Sequence, residues 1–360
     1  MKKKILALLM VATVLFVAAC GSVDNADTTT PDEPAETTEV EEPADEEEAE
    51  VAGDEESWTI AVVPKLTSIA WFERMEEGVN EMAATSNNDI FYTGPTEGDG
   101  ALQAQVIEDL IAQGVDAIAV VPFSTEALEP VLSRARDAGI VVVTHEADTM
   151  TNIDFNIEAF DNDAYGRHFM ERMGAQMGGE GEWIALVGSL TSQSHMQWVD
   201  ASIAYQEENF PNMTFVGDRI ETNDDQNTAY QRTLEALRAN PNIRGIQGSA
   251  MADVAGAALA VQELGLDGQV TIVGTSLVSV SGQFIEDGTI DMISFWDPAL
   301  AGQAMVRIAE MILNGEEITE GLNLNIPGYE NLILIDGNLL YGQAWIDITI
   351  ENVDDPNYDF

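Results

Sequence analysis

The chain has 360 residues, 64 acidic against 14 basic, for a formal net charge of −50. That balance excludes nucleic acid as a partner, because phosphates would be repelled. A hydrophobic content of 45% supports a sizeable core in two lobes of ordinary size, and the single cysteine, Cys20, excludes an intrachain disulfide.

The chain opens with Lys2, Lys3 and Lys4, then an apolar run ending in Val17-Ala-Ala-Cys20. A basic start, a short apolar stretch and small residues form a secretory signal over residues 1–19. The last four residues resemble a bacterial lipoprotein box, which implies cleavage before Cys20, acylation of its sulfur and anchoring at the outer face of a cell membrane. Residues 20–57 are low in complexity, with 16 acidic and no basic residues between Val23 and Ser57. Such a stretch buries no core and reads as a disordered tether, reaching roughly 30–36 Å as a random coil. The remainder keeps 48 acidic and 11 basic residues, about −37, which suits a strongly screening, saline medium.

From Trp58 the chain alternates apolar runs with helical stripes. Ile60–Val63 reads as a buried strand, followed by a polar turn and a helix carrying Phe72, Met75 and Val79. Lys65 lies just past that strand, with Trp71 and Phe72 beside it. It is the only lysine after the leader. Ligands of open α/β sheets bind beyond the carboxyl ends of strands, so Lys65 is the first candidate contact. Ile90–Tyr92 is a second strand. Leu102, Val106, Leu110 and Ile111 form a helical stripe closed by Gly114. Ala117–Pro122 is a strand. Ser124 and Thr125 can then cap a helix with Leu128, Val131, Leu132 and Ala135 inward. Ile140–Thr144 is a fourth strand, ending in His145, Glu146 and Asp148. A carboxylate there can accept two sugar hydroxyls, and a lysine can donate to ring or hydroxyl oxygens.

The second half repeats the pattern. Asn152–Ile157 leads to a helix with Tyr165, Phe169, Met170 and Met173, where the methionines read as core. Trp183–Gly188 is a strand whose loop holds Ser194 and His195. Asp224 or Asp225 caps a later helix with Leu234 and Leu237. Strands at Ile243–Ile246, Val270–Val273 and Met292–Asp297 lead into Ser249 and Met251, into Ser276, and into Trp296 and Asp297. The alternation predicts an α/β fold of doubly wound parallel sheets. His145, His168 and His195 have no metal-ligand spacing. No Gly-rich phosphate loop and no nucleophile elbow is present, so no catalytic residue, metal or cofactor is expected.

Several short stretches together resemble the type I periplasmic sugar-binding proteins of ABC importers, in the branch of the autoinducer-2 receptors and rhamnose-binding proteins. They are Val63-Pro64-Lys65-Leu66 with Trp71-Phe72, Tyr92–Thr96, Gln113–Ile118, Thr144–Asp148, Gln197-Trp198, Phe295–Asp297 and Asn357–Phe360. The resemblance spans the folded region and rests on their order and spacing. It implies two lobes joined by three crossings with ligand between them: 58–158 and 297–330 in one lobe, 159–296 and 331–360 in the other. It points to Lys65 and Glu146 from the first lobe, and to Ser194, His195 and the Ser249–Met251 loop from the second. Trp71, Phe72 and Trp296 would supply apolar faces; His145, Ser276 and Asp297 complete the candidate set. The chain departs from the autoinducer-2 pattern, with Glu146 for Asp, Ser194-His195 for Asp-Gln, and Ser249 and Met251 for Pro and Ala. These departures bear on autoinducer-2 as the ligand and leave the polar cleft intact. The reading is a lipid-anchored receptor that hands a small neutral sugar to ABC permease subunits. The alternatives are a receptor signalling to a membrane sensor and, least favoured, an enzyme.

Overall fold

The computed structural model describes residues 57–360; the leader, Cys20 and almost all of the acidic stretch lie outside the described residues. The chain begins with β1 (Thr59–Val63), α1 (Ala70–Thr85), β2 (Asp89–Tyr92), α2 (Gly100–Gln113), β3 (Ala117–Val120), α3 (Thr125–Asp137), β4 (Val141–Thr144) and β5 (Phe155–Glu158). It crosses to α4 (Asn162–Gln176), β6 (Glu180–Val187), α5 (Gln193–Asn209), β7 (Asn212–Phe215), β8 (Ile220–Glu221), α6 (Gln226–Ala239), β9 (Ile243–Gly248), α7 (Asp253–Leu264), β10 (Thr271–Thr275), α8 (Val278–Glu286) and β11 (Met292–Phe295). It closes with α9 (Pro298–Leu313), β12 (Ile333–Ile335), β13 (Leu339–Tyr341) and β14 (Ile346–Ile348).

Among the described residues the strands form two seven-stranded sheets. The first runs β12-β13-β5-β4-β3-β1-β2; the second runs β14-β11-β10-β9-β6-β7, with β8 also paired to β6. All pairings are parallel except β12–β13 and β11–β14. Helices cover both faces, so the strands are buried on both sides; Ile60–Val63 and Ala117–Val120 are wholly buried. The chain crosses between sheets after β5, after β11 and after β13. The last crossing corrects the expected boundary at residue 330. β12 and β13 extend the first sheet, β13 pairing in parallel with β5, so only β14 of this segment joins the second.

Capping follows the side chains closely. Asp99, Ser124, Asp161 and Asp297 accept from early backbone N–H groups of α2, α3, α4 and α9. In α2 the buried stripe is Gln103, Ile107 and Leu110, while Leu102 is 47% exposed. Gln103 is drawn inward because its amide bridges the ends of two strands. It donates to Pro64 O and Val121 O and accepts from Phe123 N, each at 2.8 Å. Three hydrogen bonds satisfy the buried amide and hold the loops after β1 and β3 in register.

An aromatic cluster fills the space at the crossings. Phe160 stacks on Tyr165 at 4.1 Å and meets Trp296 edge-on at 5.1 Å, while Trp71 meets Trp296 edge-on at 4.6 Å. These contacts seat the first two crossings against the first turn of α1, beneath the cleft. Among the described residues, no helix is long and apolar enough to cross a membrane.

Candidate functional site

The loops after β1 and β4 of the first sheet face the start of α5 and the loops after β8, β9 and β10 of the second. Between them lies a nearly filled cavity with a volume of about 20 Å3. That is room for about one water molecule. Lys65, Trp71, Phe72, Glu146, His195, Ser249, Met251 and Trp296 line it, together with Ile69, Trp198, Asp224, Ala250 and Thr275.

Its polar centre is an ion pair. Lys65 Nζ stands 2.6 Å from Glu146 Oε2, with 4% of each side chain exposed. Burial alone would raise the Glu146 carboxyl. The adjacent Lys65 ammonium outweighs it and holds the group at about 2. Glu146 has a left-handed backbone, φ 58°, rare for a residue with a Cβ. The cause lies on β5. Glu158 accepts from Glu146 N at 3.2 Å and from Ala147 N at 2.8 Å. Asn156 Nδ2 donates to it at 2.8 Å, and Thr144 Oγ1 donates to Asn156 Oδ1 at 2.8 Å. A buried side-chain ladder therefore fixes the turn that aims Glu146 at Lys65. The Glu158 carboxyl is itself raised to about 8, by burial and then by Asp148.

The second lobe reaches across. Ser194 Oγ donates to Glu146 Oε2 at 3.1 Å, and Ser192 Oγ stands 3.5 Å from Lys65 Nζ. His195 Nδ1 accepts from Gly188 N at 3.1 Å, which leaves Nε2–H as a donor at the cavity wall. Burial and the Lys65 charge lower His195 to about 3, so it is a neutral imidazole. Ser249 Oγ is buried and has no hydrogen-bond partner among the described residues. Its backbone N–H and that of Ala250 are held by Asp253 at 3.1 and 2.8 Å.

Four candidates stand outside the cavity lining. His145 is fully used by the protein: Nδ1 bonds to Ile157 O at 2.5 Å, and Trp296 Nε1–H donates to Nε2 at 3.1 Å. It ties β4 to the second crossing, and burial lowers its imidazole below the ordinary value. Ser194 lies behind Glu146. Ser276 Oγ donates to Met251 O at 2.7 Å and so supports the Ser249–Met251 loop. Asp297 caps α9 and accepts from Arg74 through Nε at 3.0 Å and Nη2 at 2.8 Å. Cys20 lies outside the described residues. Among the described residues, no group of His, Cys, Asp and Glu is arranged to hold a metal ion.

Three residues take a role here that the sequence pattern did not assign to them. The Trp198 indole forms cavity wall and donates to Asn162 Oδ1 at 2.6 Å. Asp148 closes the cleft mouth. It accepts from the Gln193 amide and from Gln197 Nε2 at 2.7 Å, and Tyr341 OH stands at 3.4 Å. Asp224 does not cap α6. Asp225 does so, accepting from Thr228 N at 2.7 Å, and Asp224 turns to the cavity. The pairing of adjacent acids was the available signal for Asp224, since only one of them can occupy the cap.

The sequence profile of a family described as a periplasmic binding protein domain matches residues 60–317. The D-allose-binding periplasmic protein of Escherichia coli (strain K12) is 27% identical over 262 residues, 69% of this chain and 82% of that protein. A D-ribose/D-allose-binding protein of Pseudomonas aeruginosa is 25% identical over 279 residues, 71% of this chain and 82% of that one. Among solved structures, LsrB from Clostridium saccharobutylicum in complex with AI-2 superposes with a TM-score of 0.76 at 21% identity, covering 84% of this chain and 100% of that one. An ABC transporter solute-binding protein from Clostridium phytofermentas with bound L-rhamnose gives 0.76 at 21%, covering 84% and 98%.

Proposed function

Because the chain belongs to the periplasmic binding protein domain family, we propose that it is an extracytoplasmic receptor that binds a small neutral sugar between its lobes and delivers it to an ABC importer. One observation carries this reading. Polar groups from both lobes, with Lys65 and Glu146 at their centre, converge on a small cavity walled by Trp71, Phe72, Trp198 and Trp296. Indole and phenyl faces suit the apolar faces of a sugar ring, and the polar groups set its orientation. Only the closed arrangement touches ligand from both sides, so ligand holds the lobes together. The D-allose- and D-ribose/D-allose-binding relatives support a sugar as the ligand class. The lipoprotein-like Val17–Cys20 stretch supports anchoring through a lipid on Cys20.

Thermal-shift screening of the purified protein against pentoses, hexoses, deoxyhexoses and autoinducer-2 tests the binding claim. A ligand at 100 times its dissociation constant adds about 2.7 kcal/mol. The expected result is a clear rise in melting temperature with one or a few sugars. No shift with any of them at millimolar concentration overturns the sugar reading.

A further inference from the structure

Asp224 is a cavity-lining carboxylate to which, among the described residues, no group donates a hydrogen bond. Its placement is built at some cost. Asn223 and Asp224 stand consecutively in the left-handed region, φ 57° and 54°, which residues with a Cβ adopt reluctantly. Helix α6 does not require this, because Asp225 provides the cap. The carboxylate lies over Gly188 at the end of β6, where a Cβ would stand 2.5 Å from Asp224 Oδ1. A side chain at 188 would therefore push Asp224 out of place. On the adjoining loop, Ser249 lines the same cavity, 1% exposed, and its Oγ has no partner among the described residues.

The charged groups around Asp224 do not explain it. Lys65 is bound to Glu146 at 2.6 Å, and His195 is held neutral by burial and by accepting from Gly188 N. Asp253, at the start of α7, has its own donors in Thr222 Oγ1 at 2.7 Å and two backbone N–H groups. A partly desolvated carboxylate lacking donors is a costly state, and a ligand bearing donors relieves it. The two oxygens of a carboxylate match two neighbouring hydroxyl groups.

We propose that Asp224 is the specificity-determining contact of the second lobe, accepting two adjacent hydroxyls of the bound sugar, with Ser249 Oγ on a neighbouring oxygen. This rests on the sugar-binding reading above and narrows it to sugars with an intact vicinal diol at that end of the ring. Burial raises Asp224 to about 6, with Lys65 lowering it and Glu146 raising it. A sugar that takes the ionised form binds about tenfold more tightly at pH 7 than at pH 5. Glu146, at about 2, and His195, at about 3, do not titrate in that window; Asp253, at about 7, does. The contribution of Asp224 is therefore the part of the pH dependence that its own substitution removes.

The test is titration calorimetry on the purified protein and on Asp224→Asn. Asparagine keeps the shape and tolerates the left-handed backbone, so the variant folds. The probe is whichever of D-allose, D-ribose, D-xylose and L-rhamnose binds wild type most tightly, together with its single-deoxy forms. At one ring position, removing the hydroxyl should weaken wild type by about 30-fold or more and Asp224→Asn by less than about threefold. The rise in affinity from pH 5 to 7 should shrink in the variant. If Asp224→Asn binds the parent sugar as tightly as wild type and keeps every deoxy penalty, Asp224 is no contact and the inference fails while sugar binding stands. If no sugar binds wild type, both fall together.

Discussion

Lys65 and Glu146 form a buried ion pair, and its value lies in what happens when one partner goes. Lys65→Ala leaves the Glu146 carboxylate enclosed, with one neutral hydroxyl donor at 3.1 Å. Losing one side of such a pair costs about 3–5 kcal/mol, whereas an apolar replacement of both is often neutral. We expect Lys65→Ala to lower the melting temperature markedly and Lys65→Met/Glu146→Gln to restore much of it. Glu146 titrates at about 2 in the fold against an ordinary 4.5. A depressed acid stabilises above its unfolded value and loses that contribution as pH falls through its folded one. Wild type should therefore lose stability between about pH 4.5 and 2 more steeply than Lys65→Ala. Equal slopes in calorimetric melts would contradict the pairing. Glu158 behaves with the opposite sign. Its value is raised from 4.5 to about 8, so its contribution is present below pH 4.5 and lost as pH rises toward 8. Glu158→Gln, which mimics the neutral acid, should melt higher than wild type at pH 9 and close to it at pH 5. A lower melting point at pH 9 would mean that the loop needs the ionised carboxylate.

At the scale of elements, α5 is what closes the cleft. Gln193 and Gln197 are one helical turn apart, share a face, and both give amide hydrogens to Asp148. Asp148 does not line the cavity, so Asp148→Ala should act on the ligand through closure. Hydrogen bonds to a charged group are worth roughly 1.5–3 kcal/mol each. A loss of about tenfold in sugar affinity, with the melting temperature of the ligand-free protein nearly unchanged, is the expected result in paired titration and melting experiments. Unchanged affinity would mean that the clasp adds nothing to closure. Elements carried by apolar runs were legible in the sequence: β1, β3, β4, β6, β9, β10 and β11 are buried on both faces and read as such. Lys65 was legible because a strand end and a unique residue type coincide there. What escaped was set by long-range pairing. β12 and β13 are three residues each and are placed by β5, far away in sequence. Gln103 falls outside the apolar stripe of its helix, because only the strand ends Pro64 and Val121 give its amide a reason to turn inward. Asp224 and Asp225 were indistinguishable as caps until the backbone put the first in the left-handed region.

The whole folded region carries about −37. Its cations are mostly spent on local pairs at the surface, such as Arg167 with Asp163 and Glu208, and Arg136 with Asp154. Exposed pairs of this kind contribute little each, so the net repulsion stays uncompensated. Screening shortens its range to about 3 Å at molar salt. The melting temperature should rise steadily from low to molar sodium chloride, and a flat or falling response would count against repulsion as a dominant strain.

The central claim is that the cavity around Lys65 and Glu146 is where ligand binds. Titration calorimetry with the tightest sugar from the screen addresses it most directly, comparing wild type with the charge-free double variant Lys65→Met/Glu146→Gln. Wild type should bind one sugar per chain, and the double variant, folded by its melting curve, should bind at least a hundredfold more weakly, about 2.7 kcal/mol. A folded double variant that binds as tightly as wild type would contradict the account and place the ligand elsewhere.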